Sequence, residues 1–330
     1  MSPKRTESGN MLPRYGAKSK IRGRVLNEDE MTFLRDKPYI YNAFNDSFLE
    51  LLFLQQFWTY ITDLIPQWVA PCVLTGYGLA INITTCLILL HYSVGNTEET
   101  PSWTFVLAAI GVFVYQTLDG IDGKVAIRVQ NTPIEEVYDH GCDAVSAVFI
   151  TLAAAVTLQL YSYPVLTLLC LLMSSIAFFS THWLCHVKHQ MIFGRVDIAE
   201  SQFFIIAIHI VTACFGQSLW HAHLATIWAF RLRIVHVIAF GTVVGLLLAT
   251  FKNVNLAVLG AKTPLEEMGI HIPVRQAPMI WSSLVPMTTI TLLAVWAFKF
   301  GYLVASPTAF YISFGLAYAK VTIVLLVSLW

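Results

Sequence analysis

Charged residues are scarce in this chain: only 12% are Asp, Glu, Lys or Arg, whereas 56% are hydrophobic. A soluble domain carries about 25% charged residues, so the composition excludes an ordinary soluble enzyme and indicates an integral membrane protein. The six cysteines form no Cys-x-x-Cys pair and lie mostly in apolar segments, which argues against a zinc site and a disulfide framework. The N-terminus also lacks the apolar segment of a secretory signal.

Three regions differ in polarity. Residues 1–38 predict a basic, polar N-terminal tail, residues 39–68 an interfacial amphipathic region with a helix along the membrane, and residues 69–330 a transmembrane domain. Because a span needs about 20 residues, the third region predicts eight helices, the second of them short: 69–91, 103–118, 141–160, 165–185, 202–220, 234–251, 277–299 and 305–330. The predicted fold class is an all-α integral membrane protein with about eight transmembrane helices after an interfacial helix.

Basic residues are distributed unevenly along the chain. Residues 1–25 hold seven basic residues and one acid, Glu7, a composition that suits contact with anionic lipid or, alternatively, an organelle address. Placing the N-terminus and the predicted loops 119–140, 186–201 and 252–276 on one side gives that side most of the 20 Lys and Arg residues, which is the positive-inside pattern. That cytoplasmic-like or matrix-like side then carries the most polar motif of the chain.

Four aspartates make up this motif. Asp119 and Asp122 are three residues apart, and Asp139 and Asp143 are four apart, so each pair shares one face of a helix. Each Asp at mid-membrane depth costs roughly 2.5–3.5 kcal/mol, so this concentration of carboxylates needs a compensating partner. Two facing pairs would form an all-oxygen cage for Mg²⁺, Mn²⁺ or Ca²⁺.

The segment 119–143 resembles the signature of the CDP-alcohol phosphotransferases, D-x2-D-G-x2-A-R followed by G-x3-D-x3-D. Further similarity to the eukaryotic choline/ethanolamine phosphotransferase branch lies at 66–71, 139–143, 182–183, 193–200 and 319–320. The resemblance covers about residues 37–330. It implies a reaction in which a diacylglycerol hydroxyl attacks the β-phosphate of CDP-choline or CDP-ethanolamine and CMP leaves.

The resemblance also implies roles for individual residues. Divalent ions, Mg²⁺ or Mn²⁺, would be bound by Asp119, Asp122, Asp139 and Asp143, and in an active enzyme Asp143 would be a ligand or the catalytic base. The nucleotide-binding positions would be Gly123, Lys124, Ala126 and Arg128. His182 and Glu200 would line the acceptor side as weaker catalytic candidates, although the residues alone favour a hydrogen-bonded structural role for His182. An apolar groove between helices would admit the lipid.

This chain departs from the family pattern at several positions. Ile127 stands where the signature has Arg, and Arg128, one residue later, is rotated by about 100° on a helix. Glu135 replaces the second signature glycine and adds bulk and negative charge where the family packs backbone against the nucleotide. The loop between the pairs is one residue short, Leu184 follows the His-Trp pair where a polar residue is usual, and the chain stops at Trp330, where the eukaryotic branch is expected to continue through two more spans.

These departures favour a catalytically impaired member that serves as a structural, metal- or lipid-holding subunit of a larger membrane complex, whose other subunits contact the N-terminal tail. The alternative is an active aminoalcohol phosphotransferase, which the four aspartates, Gly123 and Lys124 support. A transporter is disfavoured because the charges cluster at one face and not along a midplane path. No nucleic acid partner is expected. The resemblance suggests the endoplasmic reticulum or Golgi, and the basic tail leaves the mitochondrial inner membrane open.

Overall fold

The computed structural model describes residues 31–32, 43–93, 99–129, 132–227, 230–269 and 277–328. Apart from 31–32, the predicted basic tail lies outside these described residues. The chain ahead of the first long helix contains a short strand, β1 (Ala43–Asn45), one π-helical turn (Glu50–Leu54) and helix α1 (Gln55–Leu64). A helix is therefore present where the sequence predicts an interfacial one, and its position along a membrane stays a prediction.

Among the described residues, eight helices are long and apolar enough to cross a membrane. They confirm the all-α, eight-span architecture. In chain order they are α2 (Pro71–Ser93), α3 (Ser102–Val129), α4 (Pro133–Thr157), α5 (Pro164–Lys188), α6 (Ile198–Phe215), α7 (Ile234–Val258), α8 (Leu284–Lys299) and α9 (Pro307–Val327). The span that contains α8 starts at Ile280, in the short helix Ala277–Ser282.

Small elements connect the spans. Strand β2 (Met191–Phe193) pairs in parallel with β1, and β3 (His223–Ile227) forms an antiparallel hairpin with β4 (Phe230–Arg233). Two 3₁₀ turns, Leu160–Ser162 and Gln217–His221, follow α4 and α6. Two further helices, Pro264–Glu267 and Tyr302–Ala305, are single turns. Several helices begin with proline, whose fixed φ and missing N–H suit the first helical turn.

The predictions of a short second span and of a loop over residues 119–140 are wrong. Helix α3 continues without a break to Val129, and α4 already begins at Pro133. Hydropathy falls at Asp119 because the carboxylates are polar, but Ile121 and Val125 follow on a buried face and keep the segment packed as a helix. Most of the predicted loop is therefore a continuation of two neighbouring helices.

Helix α3, which carries Asp119 and Asp122, packs against several of the other helices. Helix α3 packs against α2 and α6, α4 packs against α2 and α9, and α5 packs against α7. Helix α1 approaches α3 closely at Gly120, where an added Cβ would collide with the Trp58 indole. The glycine therefore admits Trp58 directly onto the helix backbone beside Asp119.

Candidate metal centre

The structure brings the four predicted aspartates together where α3 and α4 adjoin. Carboxylate oxygens of Asp119, Asp122 and Asp139 lie within 4.8 Å of one another, and ligand atoms of Asp139, His140 and Asp143 form a second group with the same limit. Asp119 and Asp143 are also in contact. The carboxylates therefore face one another across the two helices, as their spacing predicts, and His140 joins them as a ligand candidate that the sequence reading did not include.

The donor set suits a hard divalent cation. It consists almost entirely of carboxylate oxygens, the ligand type that Mg²⁺ and Mn²⁺ prefer. Asp122 is buried, and Oδ1 of Asp139 is buried without a hydrogen-bond partner among the described residues. A buried acceptor without a partner is rare in proteins, so a bound cation would account for an oxygen that the described residues leave unsatisfied.

Two hydroxyl groups orient the carboxylates. The hydroxyl of Thr75, in α2, donates a short hydrogen bond to Oδ2 of Asp122. The phenol of Tyr115, in α3, donates to Oδ1 of Asp143 at 2.5 Å. Neither residue was predicted to belong to the site. Tyr115 lies one turn before Asp119 on the same helix face, a spacing that could have revealed it, whereas Thr75 carries no local sequence signal.

The predicted nucleotide-binding residues occupy different surroundings. Gly123 is exposed, and among the described residues no atom outside its own stretch of helix lies within 4 Å of the position that a Cβ would take. The space over its backbone is therefore open to a ligand. Ala126 is buried, and Lys124 donates from Nζ to the side-chain oxygen of Gln55 at 2.8 Å. A nucleotide contact by Lys124 or Ala126 stays a prediction.

Arg128 contacts the C-terminal end of α1. Its guanidinium donates to the carbonyl oxygens of Thr62 at 2.6 Å and Ile65 at 3.0 Å, and it lies 3.8 Å from Asp63. Ile127, at the signature Arg position, is 76% exposed. Arg128, the arginine next to the signature position in the sequence, therefore binds α1. A nucleotide contact by Arg128 stays a prediction.

Glu135 lies one helical turn before Asp139 and lines an apolar cavity of about 560 Å³ between α2 and α4. The other lining residues are Cys72, Val73, Gly76, Tyr77, Ala80, Ile134 and Tyr138. The Glu135 carboxylate lies within hydrogen-bonding reach of the backbone N–H of Cys72, in the first turn of α2. A carboxylate is favourable there because the first N–H groups of a helix lack intrahelical partners.

His182 and Glu200 differ in their bonding. His182 is buried with its ring centroid 5.1 Å from that of His140, and neither ring nitrogen has a hydrogen-bond partner among the described residues. The hydrogen bond expected of a structural histidine is therefore not found there. Glu200 accepts hydrogen bonds from the Ser47 hydroxyl at 2.7 Å and from the backbone N–H groups of Leu49 at 3.0 Å and Asp197 at 2.9 Å. It joins the start of α6 to the segment before α1.

A family model described as CDP-alcohol phosphatidyltransferase matches residues 68–232, which is half of the chain and includes all four aspartates. The chain belongs to this family. Membership confirms the resemblance found in the sequence and makes the protein an integral membrane member of a phospholipid-biosynthesis family. The match contains α2 to α6, and among them α3 and α4, the two helices that carry the aspartates of the candidate metal centre.

Within the family, the chain is similar to proteins named cholinephosphotransferase 1. The rat protein (Rattus norvegicus) is 34% identical over 263 residues, which cover 77% of this chain and 65% of the relative. The human protein (Homo sapiens) is 37% identical over 207 residues, 62% of this chain and 50% of the relative. The zebrafish protein (Danio rerio) is 42% identical over 167 residues, 50% and 44% of the two chains. These alignments span about half to two thirds of the relatives' own length.

Proposed function

We propose that this chain is a divalent-metal-dependent aminoalcohol phosphotransferase that transfers phosphocholine or phosphoethanolamine from a CDP-alcohol to diacylglycerol. The observation that carries the proposal is the convergence of four carboxylates beside the open backbone of Gly123. Its similarity to proteins named cholinephosphotransferase 1 supports the substrate class. The family resemblance suggests the endoplasmic reticulum or Golgi as its membrane.

The reaction exchanges one phosphorus–oxygen bond for another. The acceptor hydroxyl oxygen forms a bond to the β-phosphorus of the CDP-alcohol, and the bond between that phosphorus and the bridging oxygen of CMP breaks. CMP leaves with the electron pair, and the Asp143 carboxylate takes up the hydroxyl proton as general base. When bound by Asp119, Asp122 and Asp139, Mg²⁺ or Mn²⁺ supplies positive charge that stabilises the pyrophosphate and the departing CMP.

Residues around the carboxylates have positioning roles in this scheme. The Tyr115 hydroxyl holds Asp143 toward the centre, and the Thr75 hydroxyl does the same for Asp122. Gly123 leaves space for the nucleotide because it has no side chain. The apolar cavity between α2 and α4 offers room for lipid chains, and its lining residue Tyr138 directly precedes Asp139.

A second candidate function is a metal- or lipid-holding subunit without turnover. One observation favours it: the Arg128 guanidinium is bound to carbonyl oxygens of α1, while Ile127 takes the signature Arg position. In this alternative the aspartates bind a metal ion but the pyrophosphate lacks a cationic side chain. Other membrane-protein subunits would then contact the N-terminal tail, which lies outside the described residues.

A transfer assay separates the two functions. The purified full chain in lipid nanodiscs is supplied with diacylglycerol, CDP-choline or CDP-ethanolamine, and Mg²⁺ or Mn²⁺, and CMP release is measured. Asp143→Asn is the blank, and Asp63→Asn removes the same charge from an exposed side chain as a matched control. Metal-dependent release by the wild type and by Asp63→Asn, absent from Asp143→Asn, supports the enzyme. Mn²⁺ binding without release, from folded protein, would instead support the metal-holding subunit.

A further inference from the structure

A second cavity, of about 650 Å³, lies at the opposite ends of the helices from the aspartates. Its polar lining includes Ser162, Tyr163, His221, Arg231, Arg233 and His236. Asp143 lies near the start of α4, whereas this cavity adjoins the turn after the end of that helix. At 1.5 Å per residue, the path from Asp143 to Thr157 covers roughly 20 Å of helix axis. The cavity is therefore separate from the candidate metal centre.

A chain of hydrogen bonds organises the cavity wall. Arg233 donates to the Tyr163 hydroxyl at 3.0 Å, and that hydroxyl lies 3.2 Å from Nδ1 of His221. A guanidinium has no acceptor atom, so the hydroxyl accepts from Arg233. Nη1 of Arg233 also lies 3.5 Å from Nδ1 of His221, so that nitrogen is an acceptor and the hydroxyl donates its own proton to it. The Tyr163 and His221 rings also stack, with centroids 5.9 Å apart and planes 20° apart. The guanidinium, phenol and imidazole are thus held as one unit.

This arrangement fixes where the imidazole protons lie. Because Nδ1 of His221 accepts the Tyr163 hydrogen, the ring proton lies on Nε2, which is buried and has no partner among the described residues. Nδ1 of His236 accepts from the Arg233 backbone N–H at 3.1 Å, so its proton also lies on Nε2. Burial, together with the charge of Arg233, lowers the pKa of His221. At neutral pH the His221 imidazole is therefore uncharged, and the positive charge of the cavity wall comes from the guanidinium groups.

The charges in the cavity are not neutralised within the described part of the chain. Arg128, Lys188, Arg195 and Lys252 each lie within 4.0 Å of a carboxylate. Neither Arg231 nor Arg233 has such an ion pair there. Two guanidinium groups thus line an open cavity, and their N–H donors are complementary to an anion with several acceptor oxygens.

We propose that this cavity binds a phosphate group, that of an anionic phospholipid headgroup in the leaflet opposite the aspartates. Guanidinium groups match the geometry of phosphate oxygens, and the cavity lies at the ends of membrane-length helices, where headgroups are found. Free inorganic phosphate has the same chemistry and is the alternative source. The site takes no part in the proposed transfer reaction, so it does not depend on whether the protein is an active enzyme.

The test measures lipid binding to the purified full chain in detergent by native mass spectrometry. Phosphatidylglycerol is titrated as the anionic probe, and phosphatidylcholine as the probe with a phosphodiester but no net charge. Arg231→Gln should weaken phosphatidylglycerol binding about tenfold, as expected for losing a charge-assisted hydrogen bond, and should leave phosphatidylcholine binding unchanged. Lys299→Gln, which removes an exposed positive charge at the end of α8, should leave both unchanged.

Two further measurements distinguish a lipid headgroup from free phosphate and keep the test valid if a variant does not fold. Excess inorganic phosphate should fail to displace phosphatidylglycerol if the lipid is the natural ligand, and should displace it if free phosphate suffices. Arg231→Lys keeps the charge in strand β4 but loses the planar donor pair, so it should lose part of the affinity even if Arg231→Gln does not fold. Equal binding by the wild type and the folded Arg231 variants, or an equal loss in Lys299→Gln, would overturn the proposal.

Discussion

The phenol hydroxyl of Tyr115 donates a 2.5 Å hydrogen bond to Asp143 from a side chain that is only 3% exposed. Tyr115 and Asp119 lie one turn apart on α3, so the helix that carries two candidate metal ligands also orients an aspartate of α4. Hydrogen bonds to metal ligands typically change metal affinity or activity by about 10–100-fold when they are removed. The site therefore extends beyond the residues of the family signature.

Tyr115→Phe should lower metal-dependent CMP release and Mn²⁺ affinity about tenfold or more, because it removes the orienting hydroxyl and keeps the ring. Initial rates and Mn²⁺ titration by electron paramagnetic resonance provide the measurement. Tyr318→Phe is the matched control, since its hydroxyl bonds to Thr291 in α8. Unchanged Mn²⁺ affinity in Tyr115→Phe would show that this hydrogen bond does not support the metal centre.

Gly123→Ala should leave the protein as stable as the wild type, or slightly more stable, since the added methyl meets no side chain within 4 Å among the described residues and alanine favours a helix by about 1 kcal/mol. It should nevertheless raise KM for the CDP-alcohol, because the methyl enters space that the nucleotide needs. Gly241→Ala, at another open glycine in α7, is the control for helix propensity. Unchanged kinetics in Gly123→Ala would place the nucleotide elsewhere.

Glu200→Gln should lower the melting temperature by weakening the three hydrogen bonds that the carboxylate accepts. The expected loss is about 1–3 kcal/mol in the free energy of unfolding, with kcat of the folded protein nearly unchanged. Thermal unfolding and initial rates are measured side by side, with Glu267→Gln as the exposed control. A large fall in kcat at an unchanged melting temperature would instead support the catalytic role that the sequence predicts for Glu200.

Arg128→Gln should loosen α1 from α3, because its guanidinium no longer holds the Thr62 and Ile65 carbonyl groups. We expect faster limited proteolysis near residues 62–70 and an unchanged KM for the CDP-alcohol. Arg195→Gln, an exposed arginine paired with Asp46, is the control. A raised KM without faster proteolysis would mean that Arg128 contacts the nucleotide as the sequence predicts.

The sequence predicts the spans well because a helix that faces lipid has to remain apolar along most of its length. It fails at residues 119–132, where the carboxylates lower the hydropathy although apolar side chains beside them on the same helix are buried. Ile121 and Val125 carry that burial, and a running average of hydropathy mixes their contribution with that of the aspartates. The helical spacing of the aspartates indicates the continuous helix more reliably than the average does.

The sequence predicts those parts of the candidate site whose residues lie close together along the chain. The spacing within each aspartate pair indicates a shared helix face. The two pairs come together because they lie on helices that follow one another in the chain. The hydrogen bond from Thr75 joins residues 47 positions apart, and that from Ser47 to Glu200 joins residues 153 apart. Such contacts depend on how the helices pack, so local patterns contain no information on them. Glu135 is a further case, since its proximity to Cys72 arises only when α4 packs against α2.

All four aspartates and Tyr115 belong to α3 and α4, whose ends, Val129 and Pro133, are close along the chain. Joining the two helices closes one of the shortest loops between spans, so little chain entropy is lost in bringing the carboxylates together. During synthesis, all four aspartates have been added to the chain once residue 143 is in place, before α5 to α9 are made. A metal ion bound at that stage would fasten this helical hairpin and give the later helices a fixed surface on which to assemble.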